Sequence, residues 1–200
     1  MATIKYESKS EKLLNKYKLF IMKPCTLIVM ALVLAGCGQQ ALQEQPTQLT
    51  AKEKTMKISS ADFQHNGKMP PSLTCDGQDA SPELQISDVP KNAKSLALIM
   101  DDPDAPRGTW THWVVFNIPP ETTRIMKGDE PEGMQGITDF KRVGYGGPCP
   151  PSGTHRYFFR VYALDGSLSL KEGATKQQVL DAMQGKVVAQ AELVGLYQRI

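Results

Sequence analysis

The chain has 200 residues and a mass of 22.1 kDa, one domain's worth with an appendage, because domains commonly run about 100 to 200 residues; a multidomain machine is excluded. Hydrophobic residues make up 40% and charged residues 22%, with 16 Gly and 14 Pro, which is enough apolar matter for a core and too many breakers for a helical bundle or coiled coil. The net charge of +2 is unevenly placed: residues 1–37 hold six Lys against two Glu (+4), and the other 163 residues hold 17 basic against 19 acidic (−2), so no clustered Lys and Arg remain for a nucleic-acid backbone.

From Met22 the chain reads MKPCTLIVMALVLAGC, with Lys23 as a positive start, an uncharged run over 26–35 and small residues ending at Cys37. That is the pattern of a secretory signal. The apolar run is about ten residues, half of the roughly 20 that a membrane-spanning helix needs. We therefore expect residues 1–36 to be removed on export, with 1–21 an extension and Met22 a candidate start. Leu34, Ala35, Gly36 and Cys37 resemble the bacterial lipobox, which implies cleavage in front of Cys37 and its acylation; several acyl chains suffice for stable anchoring in a membrane. The alternative is an ordinary secreted protein in which Cys37 is incidental. The expected location is the bacterial cell envelope, and Gly38, where an Asp would retain a lipoprotein at the inner membrane, favours the outer one. Residues 37–54, rich in Gln, Thr and Glu, read as the lipidated Cys and a flexible tether, which leaves 55–200 for the folded domain.

Within that domain, short apolar runs with β-branched and aromatic enrichment recur between Pro, Gly, Asp and Asn clusters, at 57–60, 84–86, 95–100, 113–118 and 157–164. These predict strands. Thr175 and Gln178 have the capping-box spacing, Val179 and Met183 lie four apart, and Gly185 suits a C-terminal cap, so a helix is predicted there. Residues 188–197 alternate Ala189, Ala191 and Leu193 with Gln190, Glu192 and Val194, which predicts a last strand, with helix the alternative. The fold class is mainly β, an antiparallel sandwich with one or two short helices toward the C-terminus.

Residues that chemistry could use gather in two segments beside apolar runs: DDPDAP over 101–106 with THW over 111–113, and YGGPCPPSGTHRY over 145–157. Two of the three His residues are there. Pro103 and Pro106 stiffen the acidic turn. Gly146, Gly147, Pro148, Pro150, Pro151 and Gly153 make a backbone with little freedom and few side chains in a small ligand's way. His155 and Tyr157 are two apart at a strand start and so share a face. No GxGxxG, phosphate loop or HExxH is present, and no cofactor or structural metal is expected.

DPDAP, the downstream His-Trp, and the Gly-Pro loop ending in THRY resemble the phosphatidylethanolamine-binding protein family, in particular its bacterial Raf-kinase-inhibitor-like (YbhB/YbcL) branch. TCDG over 74–77, SPEL over 81–84 and AELVGLYQR near the end extend the likeness over roughly 55–199. The resemblance implies a β-sandwich with a small preformed cavity at one end for phosphate, acetate or a phosphoethanolamine head group. Its ligand-binding residues would be Asp102, His112, His155 and Tyr157, with Pro150 and the backbone around Cys149 as the floor. Asp104 and Gly147 would support the pocket. Animal members carry a His where Thr111 stands and a Gly where Cys149 stands. Their kinase regulation does not transfer to an exported protein.

Imidazole, phenol and backbone N–H groups can donate to an anion while a carboxylate receives an ammonium. Asp102 would repel a bare phosphate unless it shares a proton with the ligand or with His112. Affinity is expected to fall as pH rises and the His residues lose their charge. Cys25 leaves with the signal and Cys37 takes lipid, so Cys75 and Cys149 are an even pair in an oxidising compartment; a disulfide is expected, with separate thiols the alternative. If both loops border the pocket, as the resemblance suggests, the bridge ties the TCDG turn to the Gly-Pro loop.

Plainer roles exist for each residue. His112 and His155 could be structural, Asp101 a strand-end hydrogen-bonding residue, Trp110 and Trp113 core or rim packing, and Arg156 and Arg160 surface ion pairs. The leading functional expectation is a non-catalytic, membrane-anchored binding protein for a small anionic or zwitterionic ligand. The alternatives are a modulator of an exported protein such as a protease, which needs a protein partner, and a hydrolase using the Asp/His/His/Tyr cluster, which could even hold a metal. The bacterial branch's resemblance to homodimers makes a dimer the expected state.

Overall fold

The computed structural model describes residues 55–199; the signal segment, Cys37 and the tether to residue 54 lie outside the described residues. Nine strands and one helix follow in the order β1 (Lys57–Ser60), β2 (Gly67–Lys68), β3 (Leu84–Ser87), β4 (Ser95–Asp102), β5 (Trp110–Ile118), β6 (Arg124–Ile125), β7 (Met134–Gln135), β8 (His155–Leu164), α1 (Lys176–Met183) and β9 (Val187–Tyr197). Pro71–Leu73 adds one 3-10 turn. Among the described residues no helix is long and apolar enough to cross a membrane.

The strands form two sheets, β1-β3-β6 and β2-β9-β8-β4-β5-β7. Every pairing is antiparallel except the two-residue contact of β2 with β9, which is parallel and makes the larger sheet mixed. β4 lies at the centre and all eight of its residues are buried, as expected of a strand covered on both faces. Leu96, Leu98 and Met100 face the smaller sheet, where they pack with Ile58, Leu84 and Ile86; Ala97 and Ile99 face the other way, into a second cluster with Val179 and Met183 of α1. The six-stranded sheet is thus the middle layer, held between the three-stranded sheet and the helix.

The helix forms where its caps predict. Thr175 accepts from the Gln178 backbone N–H while the Gln178 side chain accepts from the Thr175 N–H, and Gly185 takes the left-handed φ of 74° just past the end, which costs glycine least. The last stretch is a strand over its whole length, with Ala189 and Ala191 packed on the core. The helix alternative is overturned because β9 hydrogen-bonds β8 along ten register pairs, satisfying a row of backbone groups that only a sheet neighbour reaches.

The register of β4 against β5 slips near one end. Met100 pairs with Trp113, but Asp101 pairs with Thr111, so His112 is an extra residue, a bulge. In a regular strand His112 would alternate with Trp113 and join Val114 and Phe116 on the α1 side. The extra residue resets the alternation, which puts Trp110 opposite Asp102 and lets the His112 ring turn to the inner side against Tyr157. Bulges re-aim side chains in this way beside functional sites.

Candidate functional site

The end of β4, the bulged start of β5 and the start of β8 meet at one end of the sandwich. They are closed by the loop 145–154. A cavity of about 340 Å³ opens there, lined by Asp102, His112, Cys149, Pro150 and His155 together with the apolar surfaces of Ala105, Pro106, Trp110, Phe140 and Pro151.

Neighbouring aspartates on β4 have opposite duties. Asp101 faces the helix side and pairs with Lys176 Nζ at 2.7 Å. Asp102 faces the cavity, where its Oδ1 accepts from the Asp104 N–H at 2.8 Å and its Oδ2 accepts from His155 Nδ1 at 2.7 Å. Both Asp102 and His155 are buried. A carboxylate can only accept, so Nδ1 of His155 carries the hydrogen and Nε2 is the free ring nitrogen. The partner of Asp102 is therefore His155; of the two sharers of a proton considered for it, the ligand and His112, the latter has its Nδ1 engaged elsewhere, 2.6 Å from the Gly146 carbonyl oxygen. A carbonyl also only accepts, so His112 presents Nε2 as its free nitrogen as well.

Burial holds the His112 pKa below its ordinary value of 6.5, against the opposing pull of the Gly146 carbonyl and of Asp102, Asp101 and Asp79. The empty ring nitrogen of neutral His112 is an acceptor at pH 7. Tyr157 stands behind the two imidazoles, fully buried, 5.2 Å edge-to-face from the His112 ring and 6.5 Å from the His155 ring. Its hydroxyl makes no well-formed hydrogen bond, though the Asp102 carboxylate lies near enough to draw on its proton; such a group is an exception among buried polar groups. Burial first, and then the Asp102 charge, push its pKa well above the ordinary phenol value, so it keeps its proton and has a donor to offer.

Pro150 and Cys149 line the cavity, whereas Gly147 and Asp104 stand outside it. Asp104 accepts from the Arg156 backbone N–H, Nε and Nη2 at 2.9, 2.9 and 2.7 Å, which clamps the acidic turn onto the residue after His155. Arg156 and Arg160 make ion pairs, the latter with Glu192 and Asp101. Trp113 is core, and Trp110 is cavity wall, edge-on to Phe140. Phe140 also meets the His112 ring at 5.2 Å; sequence reasoning passed over it, since nothing in its local pattern marks it. Among the described residues no group of three His, Cys, Asp or Glu side chains has metal-holding geometry.

Cys75 and Cys149 are joined by a disulfide, their Cα atoms 5.4 Å apart across a sequence separation of 74. The Cys75 N–H also donates to the Pro148 carbonyl at 3.1 Å, and the Tyr145 hydroxyl donates to the Leu73 carbonyl at 2.7 Å. The 73–79 turn therefore braces the loop that closes the cavity.

A three-layer β-sandwich with a small cavity at one end, built from a DPDAP turn, a bulge histidine and a Gly-Pro loop, defines the class of protein. The sequence profile of the phosphatidylethanolamine-binding protein family matches residues 59–198, and the chain belongs to that family. It is 53% identical over 150 residues to a UPF0098 protein of Methanothermobacter thermautotrophicus, covering 72% of this chain and 99% of that protein, and 51% identical over 152 residues to a UPF0098 protein of Aquifex aeolicus, covering 72% and 89%. Among solved structures it is similar to a phosphatidylethanolamine-binding protein homologue of Chlamydia trachomatis (TM-score 0.72, 42% identity, 73% of this chain and 99% of that one). It is also similar to E. coli YbcL, described as a member of the mammalian family (TM-score 0.69, 30% identity, 74% and 100%).

Proposed function

We propose that this protein is a non-catalytic binding protein of the bacterial envelope, anchored through Cys37, whose end cavity holds a small anionic or zwitterionic group such as phosphate or phosphoethanolamine. The observation that carries this reading is the buried Tyr157 hydroxyl, with no well-formed hydrogen bond and only the nearby Asp102 carboxylate to draw on it, behind two imidazoles whose Nδ1 atoms are already taken. A polar atom so placed is costly unless something pairs with it. A cavity of about 340 Å³ lies at the small end of the range for ligand sites, roughly 300 to 1,000 Å³.

The donor count sets the chemistry. With both imidazoles neutral the cavity lining presents two Nε2 acceptors and a carboxylate, and the one phenol donor, Tyr157, stands behind that lining, so a bare anion is repelled. An anion then enters with its own proton or as the imidazoles take one up. An ammonium on the ligand has the Asp102 carboxylate to meet. Calorimetric titration of the full-length protein with phosphate, phosphoethanolamine and acetate tests this at about pH 5 and about pH 8, either side of the histidine range. Affinity is expected to fall about tenfold or more toward high pH and to drop in Tyr157→Phe; affinity flat across that range sinks the reading. Metabolic labelling with a fatty acid, lost in Cys37→Ser, tests the anchor separately.

The Asp102–His155 pair at 2.7 Å favours a second reading, because an imidazole backed by a carboxylate is the arrangement of a general base. Hydrolysis would then need water as the nucleophile, since Ser152 is exposed in a turn and has no base beside it. Turnover of a phosphomonoester and ester panel, abolished by His155→Ala, would promote hydrolysis over binding.

A further inference from the structure

The two histidines of the cavity are backed differently. Asp102 meets His155 directly. Behind His112 stands the peptide group joining Gly146 to Gly147: its carbonyl oxygen accepts from His112 Nδ1 at 2.6 Å, and its N–H donates to Asp79 Oδ1 at 2.7 Å. Carboxylate, amide and imidazole thus form one continuous chain of hydrogen bonds. A second bond, from the Gly146 N–H to the His112 carbonyl at 2.9 Å, holds that amide against the β5 bulge. Glycine is required on both sides of it, because a Cβ at 146 would strike the Phe140 ring and a Cβ at 147 would strike Asp79 Oδ1 and the Leu73 carbonyl.

Asp79 is itself fixed. Its φ is 53°, its N–H donates to the Thr74 carbonyl at 3.2 Å, and its other carboxylate oxygen takes Arg142 Nη2 at 3.1 Å. Hydrogen bonds in series polarise one another, so a charge at one end strengthens the far bond and makes the imidazole a better base at Nε2.

We propose that Asp79 is a positioning residue for the cavity, acting on His112 through the Gly146–Gly147 peptide bond as Asp102 acts directly on His155. It holds the tautomer that presents Nε2 and raises the readiness of that nitrogen to take a proton from an incoming acidic ligand. The inference deepens the binding reading above and rests on it for its purpose. Its geometry and its test need no ligand.

Other charged and titratable groups act on His112: Asp102 on β4, Asp101 from the opposite face of β4 where it pairs with Lys176, and His155 and Tyr157 on β8. Arg142 lies over the Phe140 ring that touches it. Only Asp79 is joined to it by the amide relay. The chain has three histidines, so each is resolvable in the ring NMR spectrum of the ligand-free full-length protein. In Asp79→Asn an amide oxygen still receives the Gly147 N–H. The Nδ1–H tautomer should persist while the His112 midpoint falls by about half a pH unit, the order of a charge-assisted bond's excess over a neutral one; His155 should not move. In Arg142→Gln the carboxylate loses its cation and the His112 midpoint should rise, by less when Asp79 is already Asn. A His112 midpoint unmoved in Asp79→Asn, a His155 shift as large as that of His112, or no rise in Arg142→Gln overturns the proposal. Lost phosphate binding with a normal shift of His112 would count against the binding reading alone.

Discussion

The two arms of the cavity are built on opposite plans. The acidic arm, from Asp102 to Pro106, is shaped by its own turn, in which Asp102 caps the Asp104 N–H two residues on and prolines stiffen the backbone, and its one outside grip at Asp104 is an exposed set of three bonds to Arg156. The Gly-Pro arm, 145–151, belongs to no strand or helix and is held from outside, by the Cys75–Cys149 bridge, the Asp79 carboxylate, the Leu73 carbonyl and the His112 ring. A turn shaped by its own residues survives the loss of a distant contact; a loop braced from 34 to 74 residues away does not. Damage to the cavity should therefore come chiefly through the braces.

The largest effect is expected from removing the bridge. Closing a separation of 74 residues removes chain entropy worth about 4 kcal/mol in the loop-closure account. Urea unfolding with and without reductant should show most of that loss, with ligand affinity falling alongside. A loss under about 1 kcal/mol would mean that the hydrogen bonds brace the loop unaided. Next in size is Gly147→Ala, whose Cβ meets the Asp79 carboxylate and the Leu73–Thr74 backbone; a cost of about 3 kcal/mol is expected. Gly153→Ala in the same loop, with open space around it and a φ of 70°, should cost only about 1 kcal/mol, for the left-handed backbone.

A smaller effect concerns His112. Its folded pKa lies below 6.5, so the unfolded chain binds the proton more readily. Stability from this group is present above about pH 6.5 and is lost as pH falls through that value toward the folded pKa. Thermal melts of ligand-free protein should decline over that window as pH falls, and saturating phosphate should reverse the slope, since its binding takes up protons. An unchanged slope would separate His112 from the ligand.

The acidic arm should respond least. Arg156 holds the Asp104 carboxyl down to about 2, and a depressed carboxyl stabilises above about pH 4 and loses that contribution as pH falls toward 2. Because the Arg156 side chain is 54% exposed, solvent screens the pair; Arg156→Ala should cost under about 1 kcal/mol at pH 7. A cost equal to that of the bridge would erase the contrast between the arms.

Local signals were legible in proportion to how local their causes are. Thr175, Gln178 and Gly185 marked the helix because a cap is made within four residues. The strand core at 95–100 showed as an apolar run because every residue of β4 is buried, and 157–164 showed because its buried residues alternate with half-buried ones. The strands at 67–68, 124–125 and 134–135 were invisible, since two residues carry no period. β5 begins at Trp110 rather than 113 because the bulge at His112 breaks the alternation by which strands are read. Asp79 and Phe140 escaped notice because their roles exist only in contact with residues 146–147 and 112.

The chain's own order of apolar runs, breakers and the DPDAP and THRY segments determined the fold class, the family and which polar residues would meet, because burial and backbone restraint act through residue type and spacing. Which carboxylate serves which imidazole was a tertiary decision. It depended on a one-residue slip between β4 and β5, and on a glycine peptide close enough to link an aspartate in one loop to a histidine in a strand. Those are distances of a few ångströms between segments far apart in the chain, and no local pattern of side chains encodes them.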